Sequence, residues 1–227
     1  MHNDITLCLT IGNRPEPLEK TLLSLLPKMA FKQIIAINDF RDTPTNEMFR
    51  KLCPEGTLIN LPEQVGHHKA VDAMYKLVKT KYVFHCEDDW FFEGDIPVQS
   101  ILQLLEVKPE LSEVCLRRVD DIPMSDEEKS KVMTCEALDL QYERLDLLHE
   151  QWHGYTFNPH IASMDNWRHL GGFHQFKKER HVSRHFRGQG KHVAYLSPGN
   201  CSHIGDGISV SIKPTRIDRL KKWLGNL

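Results

Sequence analysis

The first half of the chain alternates short β-rich runs with helical patterns, and this alternation restricts the chain to few folds. Four apolar runs are predicted to be strands: Ile5–Ile11, Gln33–Asn38, Thr57–Asn60 and Tyr82–Cys86. Leucines from Leu18 to Leu26 recur at helical spacing, as do apolar residues from Ala70 to Val78. Strands and helices that alternate at such short lengths predict an α/β fold, with a doubly wound, mainly parallel but mixed sheet flanked by helices in a single domain.

Polar residues follow three of the predicted strands. Asn13 and Arg14 come after the first strand, Asp39 after the second, and Glu87–Asp89 after the fourth. Ligands bind beyond the carboxyl ends of the strands in sheets of this kind. We therefore expect the three polar clusters to converge on one crevice.

The acidic run Glu87–Asp89 ends a buried strand and precedes Trp90. Carboxylates crowded at such a position repel one another and are costly to desolvate, unless a divalent cation neutralises them. Hard oxygen ligands suit Mg²⁺ or Mn²⁺, and these ions in turn suit a diphosphate. The alternative is a solvated acidic turn, which is the usual meaning of a charge run.

The second half of the chain is less regular. A helix is predicted around Val98–Val107 and a strand at Val114–Val119. The stretch Asp120–Glu150 is polar, and acidic at its start, so it predicts a mobile, lid-like insertion. The sequence contains no internal repeat and no clear linker that would require a second domain.

Composition excludes some classes of protein. A net charge of −2 gives no reason to expect a nucleic-acid partner. We expect neither a signal peptide nor a transmembrane helix, because no apolar run is long enough and Met1–Asp4 lacks a basic segment. The six cysteines are scattered without a CxxC pair, which favours a reduced, cytoplasmic protein over a zinc site.

In their order and spacing, these motifs resemble the nucleotide-sugar glycosyltransferases of the GT-A fold, especially family-2-like bacterial enzymes. The resemblance is carried by Leu9–Pro15, Asp39, Gly66–Ala70 and Glu87–Asp89, where Glu87 replaces the first Asp of the family's DxD motif. It implies that Asp89 binds the metal, Mn²⁺ or Mg²⁺. It also implies a set of donor-binding residues: Thr10, Asn13, Arg14, Asp39, Gly66, Lys69, Glu87 and Asp88.

A second set of matches lies nearer the C-terminus, at Phe157–His160, Asp165–Phe173 and Glu179–Phe186. The last segment of this set supplies the catalytic base in the family, although Arg180 stands where an acidic residue is common. Glu179 shares a helical face with Val182 and Phe186.

Each candidate in this half has an alternative interpretation. Glu179 is the candidate base, and its alternative role is to complement the helix dipole. Asp165 is the second candidate base, although Ser163–Asp165 also reads as a helix N-cap. His203 resembles the histidine that often completes the family's metal site, and its alternative is an exposed loop histidine.

The tail combines apolar residues at helical spacing with basic ones, from Ile212 to Leu224. A basic amphipathic helix can rest on an anionic membrane, or it can pack on its own domain. The predicted organisation is a domain at 1–211, with a nucleotide-sugar half at 1–95 and an acceptor half at 96–211, followed by the helix at 212–227. A peripheral position at the inner face of the membrane follows from the first alternative.

Together, the residues and the resemblance predict a metal-dependent, inverting glycosyltransferase of surface polysaccharide assembly. It would move a sugar from a nucleoside-diphosphate sugar to a hydroxyl of a saccharide or lipid-linked acceptor. One alternative is a nucleotidyltransferase, for which Gly12–Pro15 is a poor match because that class needs a glycine-rich, lysine-bearing loop. The other is a non-catalytic nucleotide- or carbohydrate-binding domain of the same fold.

Overall fold

The computed structural model describes residues 3–205 of the 227. The predicted boundary at residue 211 and the predicted helix at 212–227 therefore lie outside the described residues. The strands are β1 (Asn3–Ile11), β2 (Phe31–Asn38), β3 (Thr57–Ile59), β4 (Tyr82–Glu87), β5 (Trp90–Phe92), β6 (Leu111–Cys115), β7 (Met133–Ala137), β8 (Leu140–Arg144), β9 (His160–Ser163), β10 (His192–Ser197) and β11 (Cys201–His203). The α-helices are α1 (Pro15–Leu25), α2 (Thr43–Leu52), α3 (His67–Tyr75), α4 (Val98–Val107), α5 (Asp126–Lys129), α6 (Met164–Leu170) and α7 (Glu179–Gly188).

Nine strands form one mixed sheet in the order β3-β2-β1-β4-β9-β6-β10-β8-β7. The four strands β3, β2, β1 and β4 are parallel to one another, and β6 is parallel to β10. Strands β9 and β8 run antiparallel to their neighbours. The predicted α/β fold with a mixed, mainly parallel sheet is confirmed.

Helices cover both faces of the sheet, and β1 shows this most clearly. Leu7 and Leu9 belong to one core cluster together with Leu22 of α1. Cys8, between them, belongs to a second cluster that includes Val71 of α3. Because both faces of β1 are buried, its sequence is a nearly continuous apolar run and does not alternate with polar residues.

The segment Asp120–Glu150 is not a lid, contrary to the prediction. It contains a short 3-10 helix at Val119–Asp121, the helix α5, and the hairpin of β7 and β8 that extends the edge of the sheet. Leu140 and Tyr142 are buried on one face of β8, which docks the hairpin on the core. The acidic residues at the start of the segment led to the prediction of a lid, although residues 140–142 alternate between buried and exposed positions.

Helix α2 and strand β9 are among the elements that were not predicted from the sequence. Helix α2 begins at the N-cap Asp42, whose side chain accepts a hydrogen bond from the backbone N–H of Thr45. Strand β9 is only four residues long, and it separates β4 from β6. Neither element has a long local pattern, so tertiary contacts decide both.

A second, two-stranded sheet of β5 and β11 lies where the chain leaves β4.

All six cysteines are unpaired thiols, and all but Cys135 are buried. Among the described helices, none combines the length and the apolar character needed to cross a membrane.

Candidate active site

The carboxyl ends of β1, β2 and β4 meet at one edge of the sheet. Thr10 is in register with Glu87, and Ile11 with Asn38. The backbone N–H of Gly12 donates a hydrogen bond of 2.8 Å to Oδ2 of Asp88. A Cβ atom at Gly12 would lie 2.3 Å from the ring of Phe40, so only glycine allows this close approach.

Arg14 neutralises the two buried aspartates. It stands at the N-cap of α1, its side chain is 12% exposed, and one of its terminal nitrogens is 3.0 Å from Oδ1 of Asp88. Its other terminal nitrogen donates to Oδ2 of Asp89. Asp88 and Asp89 are 1% and 3% exposed, so this fork supplies the positive charge that two buried carboxylates require.

His203 joins Asp89 from the small sheet. In the pairing of β5 with β11, His203 lies opposite Trp90, and its Nε2 atom is 3.0 Å from Oδ2 of Asp89. The backbone N–H of Ile204 donates to the carbonyl of Asp89 at 2.8 Å. A Cβ atom at Gly205 would lie 2.4 Å from Oδ2 of Asp89, so the chain passes directly over this carboxylate.

Asp89 and His203 are suited to a divalent cation. Oδ1 of Asp89 is buried and accepts no hydrogen bond within the described part of the chain. The carboxylate oxygen suits Mn²⁺ or Mg²⁺, and the imidazole adds a nitrogen ligand of the kind that transition metals take. The described residues contain no group of three or more His, Cys, Asp or Glu side chains arranged around a metal. Two protein ligands are nevertheless enough for an ion that takes its remaining ligands from phosphates and water.

The other predicted donor residues are arranged around this centre. Asp39 accepts hydrogen bonds of 2.8 Å from the backbone N–H groups of Val65 and Gly66, so its carboxylate shapes the turn that starts α3. The backbone N–H of Asn13 donates to Asp42 at 2.7 Å. Lys69 is exposed on the first turn of α3. The nucleoside contact of Asp39 and the phosphate contact of Lys69 stay predictions.

Glu179 is the first residue of α7, as the sequence predicts, and Val182 and Phe186 on the same face are buried. Its Oε1 atom accepts hydrogen bonds from the hydroxyl of Thr156 at 2.9 Å and from the backbone N–H of Phe157 at 3.3 Å. Burial raises the pKa of Glu179, while these two hydrogen bonds lower it. Oε2 has no hydrogen-bond partner between residues 3 and 205, so this oxygen is available to a substrate.

The acidic groups of the two halves face each other. Burial, together with the negative charges of Asp89, Glu179 and Asp88, raises the pKa of Glu87 to about 8, against the effect of Arg14. Burial also raises the pKa of Asp88 to about 7, against the effects of Arg14 and Gly12. Glu179 therefore lies close enough to Glu87, the last residue of β4, for its charge to act on that carboxyl.

Asp165 lies elsewhere, and its assignment as a second candidate base is corrected. Strand β9 runs antiparallel to β4, so Ser163 at its end pairs with Tyr82, the first residue of β4. Asp165 follows Ser163 at this opposite edge of the sheet. It is exposed and forms an ion pair of 2.9 Å with Arg168. An aspartate at that edge cannot reach the acidic cluster that follows β4.

Arg117 connects the two halves and was not singled out from the sequence. Its guanidinium lies 5.7 Å from the ring centroid of Trp90 and donates to Oδ1 of Asn158 at 3.2 Å. Its charge lowers the pKa of Glu179. An arginine directly after a buried strand is the available signal, but the sequence alone does not show which strand it faces.

Asp72 fixes the acceptor-side segment, a role that was also not predicted from the sequence. Its two carboxylate oxygens accept hydrogen bonds of 2.8 Å from four donors: Nε1 of Trp167, the backbone N–H groups of Phe173 and His174, and Nδ1 of His174. Gly172 packs so closely that a Cβ atom there would lie 2.9 Å from Oδ2 of Asp72. This buried carboxylate therefore holds α3 to the chain between α6 and α7.

The model of one protein family, described as glycosyl transferase family 2, matches residues 6–170. No match was found among curated proteins.

Several solved structures share the fold at low sequence identity. They include the mannosyltransferase PcManGT from Pyrobaculum calidifontis in complex with GDP-Man and Mn²⁺ (TM-score 0.58, 11% identity, 86% of this chain and 57% of that chain). Another is S. aureus TarS 1–349 in complex with UDP (0.60, 12%, 88% and 59%). A third is GalNAc-T7 with UDP, GalNAc and Mn²⁺ (0.62, 12%, 96% and 47%). The chain thus spans about half to three fifths of the length of these three neighbours.

Proposed function

Because the chain belongs to glycosyl transferase family 2, we propose that it transfers a sugar from a nucleoside-diphosphate sugar to an acceptor hydroxyl. The observation that carries this proposal is the cluster of Asp88, Asp89, Arg14 and His203 after β4, with the half-buried carboxylate of Glu179 near enough to act on the adjacent Glu87. Arg14, Asp89 and His203 suit a diphosphate with its cation, and Glu179 suits an acceptor hydroxyl.

The donor is proposed to lie across the ends of β1, β2 and β4. GDP-Man, or UDP, is present in the solved neighbours, together with Mn²⁺ in two of them, which supports a nucleotide sugar and a divalent cation here. Asp89 and His203 would hold the Mn²⁺ or Mg²⁺ ion, which stabilises the negative charge of a departing diphosphate when it is bound. Arg14 contacts both Asp88 and Asp89, and its forked donors are suited to a phosphate.

Glu179 is proposed to be the general base. Its Oε2 atom accepts the proton of the acceptor hydroxyl while the acceptor oxygen bonds to the anomeric carbon of the sugar. The bond from that carbon to the diphosphate breaks in the same step, and its electron pair leaves with the diphosphate. Attack opposite the leaving group inverts the anomeric centre, as expected for a single displacement.

The acceptor is proposed to be a hydroxyl of a saccharide or of a lipid-linked saccharide, in surface polysaccharide assembly. The basic sequence between Ile212 and Leu224 supports a position at the cytoplasmic face of a membrane, where such lipids are accessible. Binding of the chain to vesicles with and without anionic lipid tests this part of the proposal separately.

A thermal-shift panel of nucleoside diphosphates and their sugars, each with and without Mn²⁺, tests the donor site. One nucleotide should stabilise the protein only when Mn²⁺ is present, by about 2.7 kcal/mol at one hundred times its Kd. Asp89→Asn should lose this metal-dependent stabilisation. If no nucleotide gives such stabilisation, the donor-site proposal is wrong.

Release of the nucleoside diphosphate from the sugar that binds then tests turnover. A transferase releases it, fastest with the correct acceptor and slowly with water. A protein that binds the sugar nucleotide without releasing the diphosphate, with any saccharide or lipid-linked acceptor tried, is a non-catalytic domain of this fold.

A further inference from the structure

Glu113 is a fully buried acid in the middle of the sheet. It lies on β6, it is 0% exposed, and β6 is flanked by β9 and β10 on its two sides. Its Oε1 atom accepts a hydrogen bond of 2.8 Å from the backbone N–H of Thr156. Its Oε2 atom has no hydrogen-bond partner among the described residues. A carboxylate in this position, without a cation, would be very costly to desolvate.

The neighbouring His160 shows where the proton lies. Nδ1 of His160 is 2.8 Å from the carbonyl oxygen of Asn158, which can only accept, so Nδ1 carries a hydrogen. Nε2 is 3.6 Å from Oε2 of Glu113. Burial lowers the pKa of His160 to about 4 and raises the pKa of Glu113 well above its usual value. The imidazole is therefore neutral, and the lone pair on its Nε2 atom faces the hydroxyl of Tyr155 at 3.4 Å as well as Oε2 of Glu113. A neutral imidazole supplies no counterion for Glu113, so burial favours the protonated acid.

Thr156 connects this acid to the proposed base. Its backbone N–H donates to Glu113, and its hydroxyl donates to Oε1 of Glu179 at 2.9 Å. The backbone N–H of Asn158 donates to the same hydroxyl oxygen at 3.2 Å, which leaves the hydroxyl proton directed at Glu179. Two acids thus hold one threonine, with Glu113 fixing its main chain and Glu179 receiving its side-chain hydrogen bond.

We propose that Glu113, as a neutral carboxylic acid, is a positioning residue that holds Thr156 and thereby orients Glu179 for proton transfer. The inference rests on the proposed function and identifies what supports its base. A neutral Glu113 also adds no negative charge beside Glu179, which favours the ionised form that a base requires.

The other titratable groups that face Glu113 are neutral at neutral pH. They come from β6, β10, α3 and the loop before β9, and they are Cys115, Tyr195, Tyr75 and Tyr155. Burial raises the pKa of each of them. No Lys or Arg in the described chain forms an ion pair with Glu113, so only Glu179 brings a charge near it.

Glu113→Gln tests whether Glu113 is neutral, and Glu113→Leu tests whether it holds Thr156. The amide of Gln keeps an oxygen for Thr156 and offers N–H to His160, so Glu113→Gln should keep kcat within about threefold and leave the pH profile unchanged. Leu fills the space without an acceptor. Glu113→Leu should lower kcat about 10- to 100-fold, because the base is displaced, with little change in KM for the nucleotide sugar.

The pH profile distinguishes positioning from general destabilisation. The hydrogen bond from Thr156 lowers the pKa of Glu179, so its loss raises that pKa. The acidic limb of kcat should therefore move to higher pH in Glu113→Leu and equally in Thr156→Val, and the double variant should add little to either. Val114→Ala is the control: it removes core contacts on the same strand, in the cluster that contains Ile101, and should leave the limb unmoved.

Infrared spectra provide a readout that does not depend on turnover. At neutral pH the wild-type protein should show the carbonyl band of a protonated carboxylic acid that Glu113→Gln lacks. If Glu113→Leu does not fold, Glu113→Asp replaces it, since it withdraws the acid by one methylene and should lower kcat in the same way.

The proposal is overturned if the infrared band is absent or if Glu113→Gln shifts the pH profile. It is also overturned if Glu113→Leu, or Glu113→Asp in its place, behaves as Val114→Ala does. If the wild-type protein releases no nucleoside diphosphate from any nucleotide sugar, the proposed function fails, while the infrared result still decides the protonation of Glu113.

Discussion

At the scale of single residues, burial separates two acids that the sequence offered for one role. Glu179 is half-buried, accepts two hydrogen bonds and lies in the electrostatic field of Glu87. Asp165 is exposed and paired with Arg168. Both lie in the first turn of a helix, so local sequence made both candidates, and their locations relative to the edges of the sheet separate them.

The two acids should respond differently to the same change. Glu179→Gln keeps the shape of the side chain but removes the base, so we expect transfer to fall by about 10²- to 10⁴-fold with nucleotide binding retained. Asp165→Asn should transfer at the wild-type rate. Initial rates of nucleoside diphosphate release, with thermal shifts by the nucleotide as the binding control, measure both. A large loss in Asp165→Asn would contradict the assignment of the base.

The acidic limb of the wild-type profile follows from the same residue. Burial raises the pKa of Glu179, and a base is active only when it is ionised. Activity should therefore be lost on acidification above the ordinary range of a glutamate, which lies near pH 4.3. A profile of kcat with its acidic limb at or below that range would show that Glu179 is not the titrating base.

Arg14 would compete with a divalent cation for Asp89, because the guanidinium already contacts the carboxylate proposed to bind the metal. Arg14→Met should lower the free energy of unfolding by about 3 kcal/mol in EDTA, since two buried carboxylates lose their counterion. Mn²⁺ alone should restore more stability to this variant than it adds to the wild type. Urea unfolding with EDTA or Mn²⁺ measures this, and equal effects of Mn²⁺ on both proteins would exclude competition.

At the scale of elements, single polar residues join helices that are distant in sequence. Asp72 of α3 receives four hydrogen bonds, one from Trp167 in α6 and three from the chain between α6 and α7. His68, one turn earlier, lies 2.7 Å from the carbonyl oxygen of Phe176 through its Nδ1 atom. These contacts place α7, and so Glu179, relative to the donor half.

Asp72→Asn should destabilise the protein by about 2 to 3 kcal/mol. The amide nitrogen cannot accept a hydrogen bond, so donors that now bind one carboxylate oxygen lose their partner in a buried site. Urea unfolding measures the loss, and Asp165→Asn on the neighbouring helix is the control, with no measurable change expected. Equal stability of the two variants would show that the Asp72 contacts do not hold α3 to this segment.

At the scale of the whole molecule, the buried acid Glu113 makes stability depend on pH. Its pKa is raised by burial in the folded state and is near 4.5 in the unfolded chain. Between these values the folded protein holds a proton that the unfolded chain releases. The free energy of unfolding therefore falls as pH rises above 4.5, by up to about 1.4 kcal/mol per pH unit for this one proton.

Glu113→Gln cannot release that proton. The stability of Glu113→Gln relative to the wild type should therefore increase from pH 5 to pH 8, as measured by urea unfolding at each pH. Glu55→Gln, at an exposed position, is the control and should show a constant difference. A constant difference for Glu113→Gln would mean that Glu113 is ionised in the folded protein.

The sequence by itself determined the α/β class, the strands β1 to β4, and the location of Arg14, Asp39 and Glu87–Asp89 beyond their ends. It could do so because the spacing of apolar residues and the composition of a segment are local properties of the sequence. In addition, neighbouring parallel strands have their carboxyl ends at the same edge of a sheet. The helix that begins at Glu179 was predictable for the same reason. Its role as the base came from the family resemblance and not from the pattern.

Only the tertiary structure decided which of these residues meet. The antiparallel insertion of β9 sends Asp165 to the far edge, and the pairing of β11 with β5 brings His203 to Asp89. From the sequence, Glu113 is only a polar residue next to the apolar run that starts at Val114, and its partners appear when β6 is placed beside His160 and Thr156. These outcomes depend on the order and the register of strands that are distant in sequence, and the local spacing of apolar residues does not determine either.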